Sequence, residues 1–268
     1  MIDSSLFGLD VASGTALTAG VEMPLKIIDG PAVVRSGRGA ALLKRVHTFR
    51  VGAPGVGSFL IKIKNSDWVD PIINECGELS VTTMDRRTGG YQSGNNCDLT
   101  PNSSWEVVAV PTRSGTTTAA VSLAALIDID YPSVSSIIDP ETLPGIPCSI
   151  VESFGNMTPT GAGTIETATW TIHNVDIFKA GSEYALQKCS ISSNATGDVV
   201  LVGLSNAAGM AGLTRIIPCY VDPNTICNIV EYSSKLVKGP MDIKVKGFST
   251  TNTSRTYDVL MDYVKRRM

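Results

Sequence analysis

Charge is scarce in this chain. Asp, Glu, Lys and Arg make up 18% of its 268 residues, against about 25% in an ordinary globular protein. The formal net charge is −3, which lacks the strong basic excess of a chain that works mainly by gripping nucleic acid. Long apolar runs are missing too. No stretch approaches the roughly 18 apolar residues of a membrane-spanning helix. The opening "MIDSSLFGLDVASG" has Asp3 where a secretory leader carries Lys or Arg, and Asp10, Ser13 and Gly14 break its apolar stretch. A mature start in the cytoplasm, without export, is expected. The six cysteines, Cys76, Cys97, Cys148, Cys189, Cys219 and Cys227, contain no C-x-x-C pair. That excludes the usual zinc spacing and leaves buried free thiols as the expectation, since a chain of this length folds without disulfides.

Residues that do chemistry are equally few. The two histidines, His47 and His173, each sit in an alternating apolar stretch, the setting of a surface or hydrogen-bonded core imidazole rather than a catalytic one. "GLSNAAG" (203–209) places Ala207 where a nucleophile elbow needs its second glycine. "SGRGAAL" (36–42) opens into a strand and so lacks the helix N-terminus of a phosphate cradle. Asp128 and Asp130 lie two apart on one strand, hence on one face, where they can hold Ca²⁺ or form a polar subunit contact. The Asn-x-Ser/Thr sites at Asn102, Asn156, Asn194 and Asn252 are what a Ser/Thr-rich chain produces by composition. Trp68, Trp105 and Trp170 are spread along the chain, as core or interface anchors are, rather than clustered as a sugar-stacking platform. No catalytic residue, cofactor, metal or small-molecule substrate is expected.

What the chain does contain is strands. "LLKRVHTFRV" (42–51), "SFLIKIKN" (58–65), "WEVVAV" (105–110), "AALIDIDY" (124–131), "ATWTIHNVDIF" (168–178), "DVVLVGLSN" (198–206) and "MDIKVKGF" (241–248) are β-branched or alternating and are bounded by turn residues. They predict an all-β sandwich. "VGAPGVGS" and "SSNATGD" read as the turns of two hairpins.

The pattern runs twice. "VVRSGRGAALLKRV" (33–46) overlays "DIFKAGSEYALQKC" (176–189), pairing Leu43 with Leu186 and Lys44-Arg45 with Gln187-Lys188 at a separation of 186 − 43 = 143. "FLIKIKN" meets "VLVGLSN" at a separation of 141, Val108 and Val110 meet Ile243 and Val245 at 135, and the closing "IDY" meets "MDY" at 132. Ordered matches with length changes confined to turns are the mark of a duplicated domain. The expected organisation is an N-terminal arm over 1–24, a first unit over 25–131, a proline-rich linker over 132–165 and a second unit over 166–268 with a short basic tail.

A unit of this size with about eight short strands fits a jelly roll better than an immunoglobulin sandwich, because neither unit has the Cys…Trp…Cys order. Two such tandem jelly-roll sandwiches, joined by a crossing linker, resemble the double jelly-roll major capsid proteins of the tectivirus and adenovirus-hexon lineage of icosahedral viruses. The resemblance is architectural and covers nearly the whole chain. It implies a homotrimer of pseudo-hexameric outline that tiles an icosahedral shell of the virion together with neighbouring capsid subunits. Minor capsid or vertex proteins, and an internal membrane or the genome met through the termini, are further partners under this reading. Lys265, Arg266 and Arg267 are the candidates for inner-surface basic contacts. Two other readings stand beside it: a phage tail, fibre or adhesin module that binds carbohydrate or protein, and a sandwich-fold hydrolase or lyase.

Overall fold

The computed structural model describes residues 2–36, 41–53, 55–76, 90–131, 145–178, 181–195, 198–206, 213–221, 227–230, 236–238, 240–249 and 253–266. Its strands are β1 (Ile2–Val11), β2 (Ala16–Leu17), β3 (Met23–Pro24), β4 (Lys26–Asp29), β5 (Ala41–Val51), β6 (Phe59–Asn65), β7 (Ile72–Cys76), β8 (Gly90–Leu99), β9 (Trp105–Pro111), β10 (Gly115–Thr116) and β11 (Val121–Asp130). They continue as β12 (Ile146–Met157), β13 (Thr171–Phe178), β14 (Glu183–Ser193), β15 (Asp198–Asn206), β16 (Leu213–Val221), β17 (Cys227–Val230), β18 (Leu236–Lys238), β19 (Met241–Phe248) and β20 (Arg255–Arg266). A 3-10 turn, Ile165–Thr167, is the only helical piece among the described residues. The chain is all-β, as its composition of β-branched residues and turn formers predicts.

The strands form four main antiparallel sheets. In the N-terminal half the orders are β4-β1-β11-β5-β8 and β3-β9-β6-β7; in the C-terminal half they are β12-β20-β14-β17 and β13-β19-β15-β16. Short β2 and β10 pair with each other, and β18 adds to β14. With the short pieces β2, β4, β10 and β18 set aside, both halves follow one plan. Strands first, last, third and sixth in chain order make one sheet, and second, seventh, fourth and fifth make the other.

Two of the expected boundaries are corrected by this arrangement. Residues 1–24 are no detached arm: β1 pairs with β11 along its whole length, from Ile2↔Asp130 to Val11↔Val121. The proline-rich linker likewise contains a full strand, β12, which pairs with β20 from Ile146↔Lys265 onward. Pro147 hid it from the sequence. A proline cannot donate to a ladder, but β12 is an edge strand, where the missing N–H costs nothing. Residues 132–144, with Pro132, Pro140 and Pro144, lie outside the described residues.

The two expected hairpins are corrected as well. β5 and β6 belong to different sheets, as do β14 and β15, so each turn carries the chain across the core. In the first, Gly52, Gly55 and Gly57 all have positive φ, which turns the backbone sharply enough to change layers.

The two halves also share details of register. Opposite Asp128 lies Arg45 and opposite Ile129 lies Leu43, so Lys44 bulges out. Opposite Asp262 lies Lys188 and opposite Tyr263 lies Leu186, so Gln187 bulges at the equivalent place. Asp128 therefore corresponds to Asp262, a separation of 262 − 128 = 134, and the "IDY"/"MDY" overlay is two residues out. Ile61 pairs with Ala109 and Val202 with Val245, so Ala109 corresponds to Val245 at 245 − 109 = 136. An overlay at 135 would exchange the two faces of the sheet: Val107 and Ala109 face the first core, whereas Val108 and Val110 do not.

Each half encloses its own core. Phe59, Ile61, Ile63, Leu123, Ile127 and their neighbours fill the first; Val202, Leu204, Ile243, Val245, Tyr257 and Met261 fill the second. Gly30 lets the strap that ends in β4 lie against β1. Its φ is +86°, and a Cβ there would stand 2.1 Å from the Ser4 carbonyl oxygen. Gly30→Ala is expected to cost about 2–4 kcal/mol through left-handed strain and backbone displacement. Guanidinium unfolding of the purified variant measures it, and a loss below about 0.5 kcal/mol would show that the strap moves freely.

Candidate functional site

Between the two cores lies a third apolar layer, and it is where the halves meet. Leu6, Phe49, Val51, Ala124 and Leu126 face outward from the sheet of β1, β11 and β5; Val199, Leu201 and Phe248 face outward from β15 and β19. They bury one another, with Phe49 and Phe248 ring centroids 6.0 Å apart. The four sheets are thus stacked in the order β3-β9-β6-β7, β4-β1-β11-β5-β8, β13-β19-β15-β16, β12-β20-β14-β17.

The segment after β12 seals the edge of this seam. Ile165, Ala162, Ala168 and Trp170 pack on it. Asp10 holds the 3-10 turn: its carboxylate accepts the backbone N–H of Ile165 at 2.8 Å and of Glu166 at 3.0 Å, and the Ser122 hydroxyl at 2.6 Å. The Glu166 carboxylate accepts the Asp10 backbone N–H in return and pairs with Lys26. Further along, Lys246 is buried at the seam, 2.8 Å from the Asp29 carboxylate, with its ammonium 4.8 Å from the Trp170 ring centroid. The Trp170 indole N–H donates to the same Asp29 oxygen at 2.8 Å. Burial pushes the Lys246 ammonium below its usual pKa, while Asp29 pulls it back. The charges fix direction across a contact that apolar burial drives.

The Glu166 bond carries a pH dependence of known sign. Lys26 first, then the Asp10 N–H, hold its carboxyl below the usual carboxylate range. The unfolded chain therefore takes up the proton first as pH falls. The bond's stabilisation is present above the unfolded pKa of about 4.3 and is lost as pH drops through the lower folded value. Glu166→Gln is expected to lower the urea midpoint at about pH 7 and to match wild type near pH 3. A midpoint difference that stays constant across that range would sink this assignment.

A second polar cluster is enclosed in the C-terminal half. Arg255 pairs with Asp198 and donates to the Ser249 hydroxyl at 3.0 Å, and the Tyr257 hydroxyl donates to Asp198 at 2.6 Å. Asp198 is fully buried, and burial raises the Tyr257 phenol. Its members bind one another, so the cluster joins β15 to β20.

The outer faces of the stack differ in character. On the β3-β9-β6-β7 end, Lys62 and Lys64 share Glu22 at 3.0 and 2.8 Å, Lys64 also reaches Glu106, and Leu60 lies in the same row as Lys62. On the β12-β20-β14-β17 end, Ser149 donates to Asp262 at 2.7 Å and Ser153 to Asp258, flanking an apolar pair, Val151 opposite Leu260. Val151 is 62% exposed.

The residues singled out in the sequence do not converge. His47 is half-buried on β5 opposite Leu126, and His173 lies on β13, in the other half. Asp128 is buried and accepts the Ser4 hydroxyl at 2.6 Å; the Asp130 side chain lies outside the described residues. "GLSN" is the end of β15, while 207–209 and 37–40 are not among the described residues. Trp68 packs edge-on against Trp105 at 5.4 Å, and Trp170 lies at the seam. Cys76, Cys148 and Cys189 are free thiols. Among the described residues there is no group of three or more metal-ligating side chains, and no helix is long and apolar enough to cross a membrane. Lys265 and Arg266 end β20, Lys265 opposite Ile146 and Arg266 opposite Glu183; Arg267 lies outside the described residues.

The seam itself escaped the sequence reading, although a signal for it was present. β6 alternates buried and half-buried residues, "FLIKIKN", while its counterpart "VVLVGL" in β15 is buried at every position. β20 alternates, while its counterpart β11 is buried on both faces. Equivalent strands that differ in this way tell which sheets are inside the stack.

No family model matches the chain, and no curated protein matches it. Among solved structures it is similar to the infectious bursal disease virus VP2 subviral particle, at 9% identity and a TM-score of 0.25 over 99% of this chain and 71% of that one. It is also similar to the T=1 particles derived from infectious bursal virus, at 8% identity and a TM-score of 0.23 over 100% of this chain and 74% of that one. Both neighbours are proteins of virus particles.

Proposed function

We propose that this chain is a major capsid protein of the double jelly-roll kind found in the tectivirus and adenovirus-hexon lineage. Two jelly rolls per chain associate as homotrimers of pseudo-hexameric outline, which tile an icosahedral virion shell. The observation that carries the reading is the strand plan. The order first-last-third-sixth facing second-seventh-fourth-fifth suits a jelly roll, and both halves of the chain have that order. Low surface charge favours the same role, since few ions must be desolvated when subunits meet. The function is structural rather than enzymatic, with neighbouring capsid subunits and minor or vertex proteins as partners, after assembly in the host cytoplasm.

The termini give the proposed inner contact. Ile2 pairs with Asp130 and Ile146 with Lys265, so in each roll the first strand begins beside the end of the last. Lys265, Arg266 and Arg267 there would meet anionic lipid or genome, each charge contributing about 1 kcal/mol near an anionic surface. Native mass measurement with negative-stain imaging tests the function: trimers of hexagonal outline are expected. A persistent monomer with a sugar-dependent thermal shift would instead make the chain a carbohydrate-binding module.

A further inference from the structure

Two of the buried cations among the described residues meet a carboxylate, and they differ in chemistry. Inside the C-terminal half, Asp198 is paired with Arg255, whose guanidinium keeps its charge wherever it is placed. At the seam, Asp29 is paired instead with Lys246, the one buried lysine among the described residues. Lys26, Lys62 and Lys64 also pair with carboxylates, but each keeps at least 27% of its side chain exposed, against 2% for Lys246. Burial disfavours the ammonium of Lys246, and a lysine, unlike an arginine, can give up its proton and become a nucleophile. Its Nζ stands 2.8 Å from Asp29 Oδ2, and the Trp170 indole N–H donates to that same oxygen at 2.8 Å. The Trp170 ring walls the amine, with its centroid 4.8 Å from Nζ. The Asp29 side chain is 26% exposed, which leaves a way out to solvent on the other side.

We propose that Lys246 and Asp29 condense into an amide, an isopeptide cross-link that ties β19 to β4 across the seam. One Nζ proton passes to the carboxylate and Nζ attacks Cγ, forming the C–N bond. A second Nζ proton follows to the departing oxygen, the C–O bond breaks, and one water leaves. The ammonium and the carboxylate hold between them every proton the step needs, so no oxidant, reductant or co-reactant enters. The Trp170 N–H holds Oδ2, which stays as the amide oxygen, and stabilises the negative charge that this oxygen carries at the tetrahedral stage. Contact between the two groups replaces a bimolecular encounter, and the neutral product no longer bears the cost of keeping two charges at a buried seam. The bond closes a loop between residues 246 − 29 = 217 positions apart, so the two halves stay joined even when the chain unfolds, and the unfolded chain is constrained accordingly. The cross-link does not depend on the chain being a capsid protein.

Mass spectrometry of the full chain tests this, on protein purified folded, incubated at neutral pH and then denatured. The wild-type chain is expected to be lighter than its sequence by the mass of one water. Trypsin is expected to release residues 27–35 and 245–255 as one branched peptide, because an amidated Lys246 is not cut. Lys246→Arg keeps a cation beside Asp29 but cannot form the amide, and it is expected to show the full sequence mass with the Asp29 peptide free. A wild-type chain of full mass, cut by trypsin after Lys246 like any free lysine, would overturn the cross-link. Asp29 is followed by Gly30, and closure of a succinimide onto the Gly30 nitrogen would release the same water. A mass deficit that persists in Lys246→Arg, with residues 27–35 unjoined to 245–255 in the wild type, would place the loss there and overturn the cross-link as well. The wild-type peptide map decides by itself, so the answer stands even if the variant does not fold.

Discussion

Arg255→Met is expected to destabilise the C-terminal half by about 3–5 kcal/mol, because it leaves the Asp198 carboxylate buried without its cation. Asp198 is fully enclosed, and its other partner, the Tyr257 hydroxyl, donates one hydrogen bond but supplies no charge. Water cannot replace the guanidinium in a site formed by β15, β20 and Ser249. Chemical unfolding of the single variant reads the loss. Asp198→Asn combined with Arg255→Met is expected to recover much of it, since removing both charges also removes the desolvation penalty they share. Gly247→Ala attacks the same cluster from the side, with a Cβ 2.8 Å from the Tyr257 oxygen. A cost below about 1 kcal/mol for Arg255→Met would mean that the carboxylate reaches solvent or takes a proton instead.

Much of this fold was legible because strand periodicity and turn residues act locally. The sequence overlay sets Leu43 against Leu186 and Lys44 against Gln187, and the structure adds that Lys44 and Gln187 both stand at a register shift. What failed was decided by tertiary context. "IDSSLFGLDV" contains three serines and aspartates at positions that become buried, and Ser4 and Asp3 take partners far along the chain, Asp128 and Arg35. Without those partners in view, β1 resembles a polar arm. β12 was obscured by Pro147, whose tolerance depends on an edge position that no local pattern reveals. Turns that cross a core use the same glycines as turns that close a hairpin, so Gly52 and Gly55 could not say whether β6 would lie beside β5 or across from it.

The site was less legible than the fold because its signal is a difference between two equivalent strands rather than a motif. Leu126 and Leu260 occupy the same place in the two halves, and only the layer beyond them differs. Leu126→Asp is accordingly expected to cost 3 kcal/mol or more, at roughly the scale of an unpaired polar group forced into an apolar contact. Unfolding, expected as one transition in the unaltered chain, should separate into two as the halves lose their seam. Leu260→Asp, the same chemical change, is expected to leave the stability of the single chain within about 0.5 kcal/mol. Its carboxylate stands on an open face and remains hydrated. Denaturant unfolding of both variants under dilute conditions makes the comparison. Equal losses at the two positions would mean that the seam is not what buries Leu126, and the stacking order of the four sheets would have to be given up. The unequal result makes the hydration of one residue a direct readout of whether another sheet lies above it, within a chain or between chains.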